Sequence, residues 1–273
     1  MKKIIFACDG KYFPKGAFEF VKELQQSEPV LLIGAFLHAV NFEEYIPGIF
    51  SLYSSPVATF LEEEKAEHQK NINIFVEQCQ RNGIEYRVHE ESNNWNIHDL
   101  VKESRFADLM VMSEELFCSD INVSEPNGFM QQAIHKTECP VMLFPENYQS
   151  FRKILIAYDG KKESMFALKQ FCSLFPQYST METKIIYSKE DMDDNIPDML
   201  YIEEYAGRHF RNLTFEKLHF KGKEYFELWA KENDDCLFIS GSYGRSVFSI
   251  ALSKSFVSDI IHEHRVPLFI AHT

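Results

Sequence analysis

Short continuous apolar runs alternate along this chain with longer stretches in which apolar residues return every three or four positions. Lys3 to Cys8 is a run of the first kind, the pattern of a strand buried on both faces. The amphipathic stretch Lys15 to Gln26 follows, then a strand over Val30 to His38 and a long helical pattern over Val57 to Asn82. Asn82-Gly83 closes that helix, since glycine tolerates the left-handed conformation in which helices commonly end. Strand Ile84 to His89, helix Ile97 to Arg105, strand Leu109 to Met112, a helix near Gly128 to Lys136 and strand Val141 to Phe144 complete this half. Beyond it, strands are expected near Lys153 to Tyr158, Lys184 to Tyr187, Leu213 to His219, Leu237 to Ile239 and Leu268 to Ile270, again with helices between. Strands that alternate with helices imply right-handed crossovers and a mostly parallel sheet covered on both faces. The expectation is an α/β fold with five strands in each half.

The two halves are copies. KKIIFACDGK (Lys2 to Lys11) matches RKILIAYDGK (Arg152 to Lys161) at an offset of 150 residues. ADLMVMS (Ala107 to Ser113) matches DDCLFIS (Asp234 to Ser240), and CPVMLF (Cys139 to Phe144) matches VPLFIA (Val266 to Ala271), both at an offset of 127. Three blocks in the same order mark a duplication whose first copy carries 23 more residues in its middle. The length of 273 residues accommodates two domains, expected at 1–147 and 151–273. The connection around Pro145 to Arg152 is short, so the domains should pack against each other.

Composition changes this picture little, but charge restricts partners. A net charge of −13, with no Lys/Arg run to offset it, opposes binding to nucleic acid. The apolar run at the N-terminus ends at Asp9, too short for a signal sequence, and no 18-residue apolar stretch suggests a membrane span. Six scattered cysteines (Cys8, Cys79, Cys118, Cys139, Cys172 and Cys236) include no CxxC pair and read as core residues of a reducing compartment. A cytoplasmic protein without membrane or nucleic-acid partners is expected.

Ligands of open α/β sheets bind beyond the carboxyl ends of the strands. Two candidate elements fall there in the second half: Asp159-Gly160 after the first strand, and Gly241-Ser242-Tyr243-Gly244-Arg245-Ser246 after the fourth. Glycines at such a turn let backbone N–H groups reach phosphate oxygens, and a helix N-terminus adds favourable partial charge. A carboxylate can accept hydrogen bonds from a ribose hydroxyl or a base-edge donor. A plain structural turn is the other reading of the glycine loop.

ILIAYDGKKESMFALKQF and FISGSYGRSVFSIALSKSFVSDIIHEHRVPLFIA carry a resemblance to the opening and closing segments of the universal stress protein family. The whole chain resembles a tandem member of this family, within the superfamily of adenine-nucleotide-binding, Rossmann-like domains. The family's ATP-binding members have a G-x2-G-x9-G-S/T pattern after the fourth strand. Gly241, Gly244 and Ser255 match it, whereas Lys254 occupies the third glycine position. A lysine there either crowds the backbone approach or brings its ammonium to a phosphate. The resemblance further implies that Asp159 contacts ribose or base, that Tyr187-Ser188 faces adenine, and that the last strands of the halves, Val141 to Phe144 and Leu268 to Ile270, lie side by side as an internal pseudo-dimer. A further homodimer is left open.

The first half departs from the pattern. Asp9 is retained, but Ser113-Glu114-Glu115-Leu116 follows the fourth strand, placing two carboxylates where phosphates would sit. Each like charge opposes ATP by about 1 kcal/mol or more at a partly buried position. A nucleotide-free first domain and at most one ATP or AMP site in the second are therefore expected.

No other constellation reads as chemistry. His262-Glu263-His264 and Glu190-Asp191-Met192-Asp193-Asp194 lack metal-ligand spacing, His38 reads as a polar strand end, and Glu62-Glu63-Glu64 as a solvated helix face. Ser113, Ser240 and Ser242 have no His/Asp arrangement for nucleophilic catalysis. The aromatic stretch Phe42 to Tyr53 reads as a cover over the sheet edge or an interdomain contact, with an apolar pocket or partner surface as the alternative. The function expected is a non-enzymatic, stress-related regulatory protein; the alternatives are an interaction module with both sites lost, or a weak ATPase.

Overall fold

The computed structural model describes residues 1–8, 13–36, 55–89, 97–113, 135–188, 195–218, 235–241 and 266–271. Its first half runs β1 (Lys2–Cys8), α1 (Lys15–Ser27), β2 (Val30–Phe36), α2 (Ser55–Arg81), β3 (Glu85–Val88), α3 (Ile97–Ser104), β4 (Leu109–Ser113) and β5 (Val141–Phe144). The second runs β6 (Lys153–Ala157), α4 (Lys162–Leu174), a 3-10 turn (Pro176–Thr180), β7 (Glu182–Ser188), α5 (Met199–His209), β8 (Asn212–Leu218), β9 (Cys236–Ser240) and β10 (Leu268–Ile270). The helix expected near Gly128 to Lys136, the aromatic stretch 42–53 and the histidines 262 and 264 lie outside the described residues, wholly or for the most part.

All ten strands form one sheet in the order β3-β2-β1-β4-β5-β10-β9-β6-β7-β8. Each half contributes a doubly wound arrangement of five strands, parallel throughout. Strands β4, β5, β10 and β9, in the middle of the sheet, are buried along their whole length, which is why they read as continuous apolar runs. The two edges differ: in β3 (EYRV) exposed and half-buried residues alternate, because one edge strand is wetted on one face.

The halves join through β5 and β10, the only antiparallel pair among the described strands, with Leu143 opposite Leu268 and Val141 opposite Ile270. This reversal relates the halves by an approximate two-fold axis. The carboxyl ends of the first half's parallel strands consequently face the opposite rim of the sheet from those of the second. The two candidate ligand positions cannot share one molecule.

Helices α1, α2, α4 and α5 pack on one face of the sheet, with Phe18, Phe75, Phe171 and Ile202 in a common core. Leu100 of α3 lies in a second core on the other face. The two-fold axis brings α1 and α4 together over an aromatic cluster. Phe20 lies 4.7 Å from Phe144 and 6.0 Å from Phe175, centroid to centroid, and Phe175 in turn lies 6.1 Å from Phe269. Glu23 of α1 accepts hydrogen bonds from Tyr148 Oη at 3.0 Å and from Ser150 Oγ, tying the connecting segment to the first half.

Helix α2 ends as its sequence dictates: Gly83 has φ of +62° and the Asn82 amide bonds the Gln78 carbonyl. Five cysteines, Cys8, Cys79, Cys139, Cys172 and Cys236, are buried in the two cores. Burial pushes the Cys79, Cys139 and Cys172 thiols up to about 12. No helix of the described residues is long and apolar enough to cross a membrane, and no cluster of three metal-ligating side chains occurs among them.

Candidate functional site

The site begins where β6 leaves the sheet. This strand lies between β9 and β7, with Ile156 opposite Ile239 on one side and Ala157 opposite Ile186 on the other. Tyr158 extends the ladder by one more bond, its N–H donating to the Ile186 carbonyl at 2.9 Å. The chain then turns through Gly160, whose φ of +77° is the left-handed region that a residue without Cβ occupies freely. Asp159 stabilises the turn with its own side chain. Oδ1 accepts the Lys161 amide at 3.1 Å, an Asx-type bond, and Oδ2 lies 3.3 Å from the Lys161 ammonium. The Asp159 side chain keeps 22% exposure, so the carboxylate has lone pairs to offer an incoming donor.

Two tyrosines frame this carboxylate. Tyr187, near the end of β7, is buried, and its hydroxyl is held above the usual range first by burial and then by the charge of Asp159. Tyr158 is shifted the same way by burial, by Asp198 and by Asp159. Ala157 of β6 pairs with Ile186 of β7, so the Asp159 turn and Tyr187 follow on at the same end of adjacent strands. Ser188 ends β7.

Gly241 directly follows β9 and is buried. A Cβ on it would overlap the carbonyl carbon of Glu163 and the amide nitrogen of Ser164. The absence of a side chain thus lets the exit of β9 press against the first turn of α4, the same helix that the Asp159 turn feeds. Phosphate approach is one reason for glycine after this strand; close packing of strand end on helix is a second. Helix α4 has no side-chain cap at Lys161, and the Ser164 hydroxyl donates to the Lys161 carbonyl at 2.9 Å.

Of the five residues the sequence singles out for nucleotide, the structure places Asp159 and Gly241 on the two flanks of α4's start. Gly244, Lys254 and Ser255 lie outside the described residues, as do Asp9, Glu114 and Glu115 in the first half and the acidic run 190–194. Sequence reasoning missed a third wall. Pro197 and Asp198 precede α5 and come back over the Asp159 turn, with Tyr158 Oη donating to the Pro197 carbonyl at 3.1 Å. The only signal was the Pro-Asp dipeptide itself, a common helix lead-in.

No family model matches the sequence, and no curated protein matches it. Solved structures do. A universal stress protein from Archaeoglobus fulgidus DSM 4304 is similar over 99% of this chain and 96% of its own, with a TM-score of 0.70 at 14% identity. A provisionally assigned universal stress protein from Pseudomonas aeruginosa UCBPP-PA14 covers 100% of this chain and 93% of its own, at a TM-score of 0.58 and 10% identity. A functionally unknown protein from Pseudomonas aeruginosa PAO1 gives 0.56 and 10%, over 100% of this chain and 92% of its own. The chain has the α/β fold of these universal stress proteins.

Proposed function

We propose that this chain is a tandem universal stress protein, a non-enzymatic regulatory binder in the cytoplasm with one adenine-nucleotide site, in its second domain. The domains run over 1–147 and 151–273. Asp159 accepts from the ribose or base, Tyr187-Ser188 lines the adenine side, and the segment from Gly241 through Gly244 to Lys254 and Ser255 takes the phosphates. One observation carries this reading: a partly exposed carboxylate follows the carboxyl end of β6, and a buried tyrosine lies near the same end of the adjacent strand β7. In the first domain Glu114 and Glu115 follow β4 and repel phosphates, so that domain serves as the pairing partner.

A second reading, an interaction module that binds no nucleotide, draws on the Lys161 ammonium already paired with Asp159. Titration calorimetry with ATP separates the two. Expected is binding that Asp159→Ala weakens by about 10- to 100-fold, the worth of a hydrogen bond to a charged group. Gly244→Glu is expected to remove it, by placing an acid against the phosphates. Affinity unchanged in both variants would dismiss the site, and adenine nucleotide released from the denatured purified protein would dismiss the empty module.

A further inference from the structure

The corner Ile196–Asp198 is held in an unusual way. Asp198 caps the start of α5 with φ of 49° and ψ of 35°, and it is the one residue other than glycine with positive φ among the described residues. Aspartate enters this region more readily than most residues, but the conformation is uncommon, and here the corner is packed against its surroundings. The surroundings are the Asp159 turn. Tyr158 Oη donates to the Pro197 carbonyl, and a Cβ on Gly160 would stand 2.8 Å from Pro197 Cβ, so turn and corner already touch. The Asp198 carbonyl in its turn accepts the amides of Tyr201 at 2.9 Å and Ile202 at 3.1 Å, which form the first turn of α5. The side chains carried outward on that turn are Leu200 and Tyr201, exposed by 80% and 75%, the two most exposed large apolar residues of the described chain.

We infer that Tyr158 and Pro197 form a latch that couples the Asp159 carboxylate to the first turn of α5, so that a nucleotide held at Asp159 alters how Leu200 and Tyr201 are presented. The coupling rests on the nucleotide reading above for its ligand, but the latch itself is a property of the free chain. Its parts follow one another: the carboxylate, the neighbouring tyrosine, the proline carbonyl, the left-handed cap and the helix start. The inferred latch has two arrangements, closed with Asp198 left-handed as observed, and released with Asp198 elsewhere in its allowed range. A ligand that favours one of them shifts the balance. Burial holds the Tyr158 hydroxyl above the usual range, and the charges of Asp198 and Asp159 push it the same way.

Hydrogen exchange of the full-length chain tests this at the two amides that Asp198 protects. In ligand-free protein, Tyr158→Phe is expected to raise exchange at Tyr201 and Ile202 by about tenfold, the loss of one partly buried hydrogen bond. The Phe210 amide, bonded to Ala206 at the far end of α5, is expected to stay unchanged. Gly160→Ala, which pushes a methyl against Pro197, is expected to affect the same two amides. Adding ATP to the wild type is expected to change their exchange at least about threefold, and to lose that effect in Tyr158→Phe. No rise in either ligand-free variant would overturn the latch, as would ATP binding that leaves both amides unmoved. Calorimetry showing no ATP binding at all would instead overturn the nucleotide reading, and with it the ligand's part in the switch, while the ligand-free arms still decide the latch.

Discussion

Replacing Phe175 with alanine is expected to destabilise the whole chain by about 3–5 kcal/mol, the range for emptying an aromatic site in a packed core. Phe175 follows α4, is only 2% exposed, and fills the space between the halves. Its ring lies 5.1 Å from Phe171, 5.8 Å from Tyr178, 6.1 Å from Phe269 and 6.0 Å from Phe20 across the two-fold axis, all centroid distances. The Lys2 ammonium, from the start of β1, lies 5.8 Å from the same centroid. A residue of the second half thus holds two elements of the first, and the loss must be shared. Thermal unfolding should show one cooperative transition lowered by about 10 °C, both halves melting together. Phe20→Ala should do the same, and the double variant should lose less than the two singles summed, by about 0.5–1.5 kcal/mol, because the edge-to-face pair is removed only once. Two separate transitions, only the later half shifted, would show that the aromatic cluster does not unite the halves.

Gly241→Ala should cost about 1–3 kcal/mol, the cost of forcing atoms into a filled space. The added methyl meets backbone, the Glu163 carbonyl carbon and the Ser164 amide, and backbone at a helix start cannot rotate out of the way as a side chain does. Either β9 or α4 must move. Since α4 begins at the turn that carries Asp159, ATP affinity should fall in the same variant. Gly207→Ala is the control: it lies inside α5 with nothing within 4 Å of the added carbon, so it should be neutral or stabilise by up to about 1 kcal/mol. Denaturant unfolding of the two variants side by side separates close packing from glycine's general cost. A Gly241→Ala protein as stable as the wild type would mean that the strand end does not press on the helix.

Much of the scaffold was legible because physics writes it locally. Strands buried on both faces must be apolar without a break, so IIFAC, LMVMS and CLFIS announce β1, β4 and β9, and the matched blocks around them reveal the duplication. The Asn82-Gly83 stop was legible for the same reason, since it is a local conformational demand. Strand β7 starts two residues before and ends one residue after its expected bounds, and β8 starts one residue earlier, because Glu182, Thr183 and Asn212 pair in the ladder without being apolar. The direction in which β5 meets β10 was not legible from pattern: runs of four and three apolar residues carry no mark of orientation. The resemblance to the family implied only that the two strands lie side by side.

The site was half legible. Asp159 stands out in the sequence as an acid directly after a buried strand, but the structure also gives it a structural use, the Asx-type bond to the Lys161 amide. Gly241 announced itself for an incomplete reason; GSYG suggests room for a phosphate, and nothing in it shows that the helix start of α4 fills the space on one side. The Pro197 corner was invisible, since it depends on a hydrogen bond between Tyr158 and a residue 39 positions away. Contacts of that kind are set by the crossover geometry, not by any spacing along the chain.

Native mass spectrometry of the chain with ATP tests the central claim most directly. One nucleotide per chain is expected, with occupancy lowered in Asp159→Ala and unchanged in Asp9→Ala, because only the second domain offers a carboxylate without acids at the neighbouring strand end. Two nucleotides per chain, or one that depends on Asp9, would contradict it.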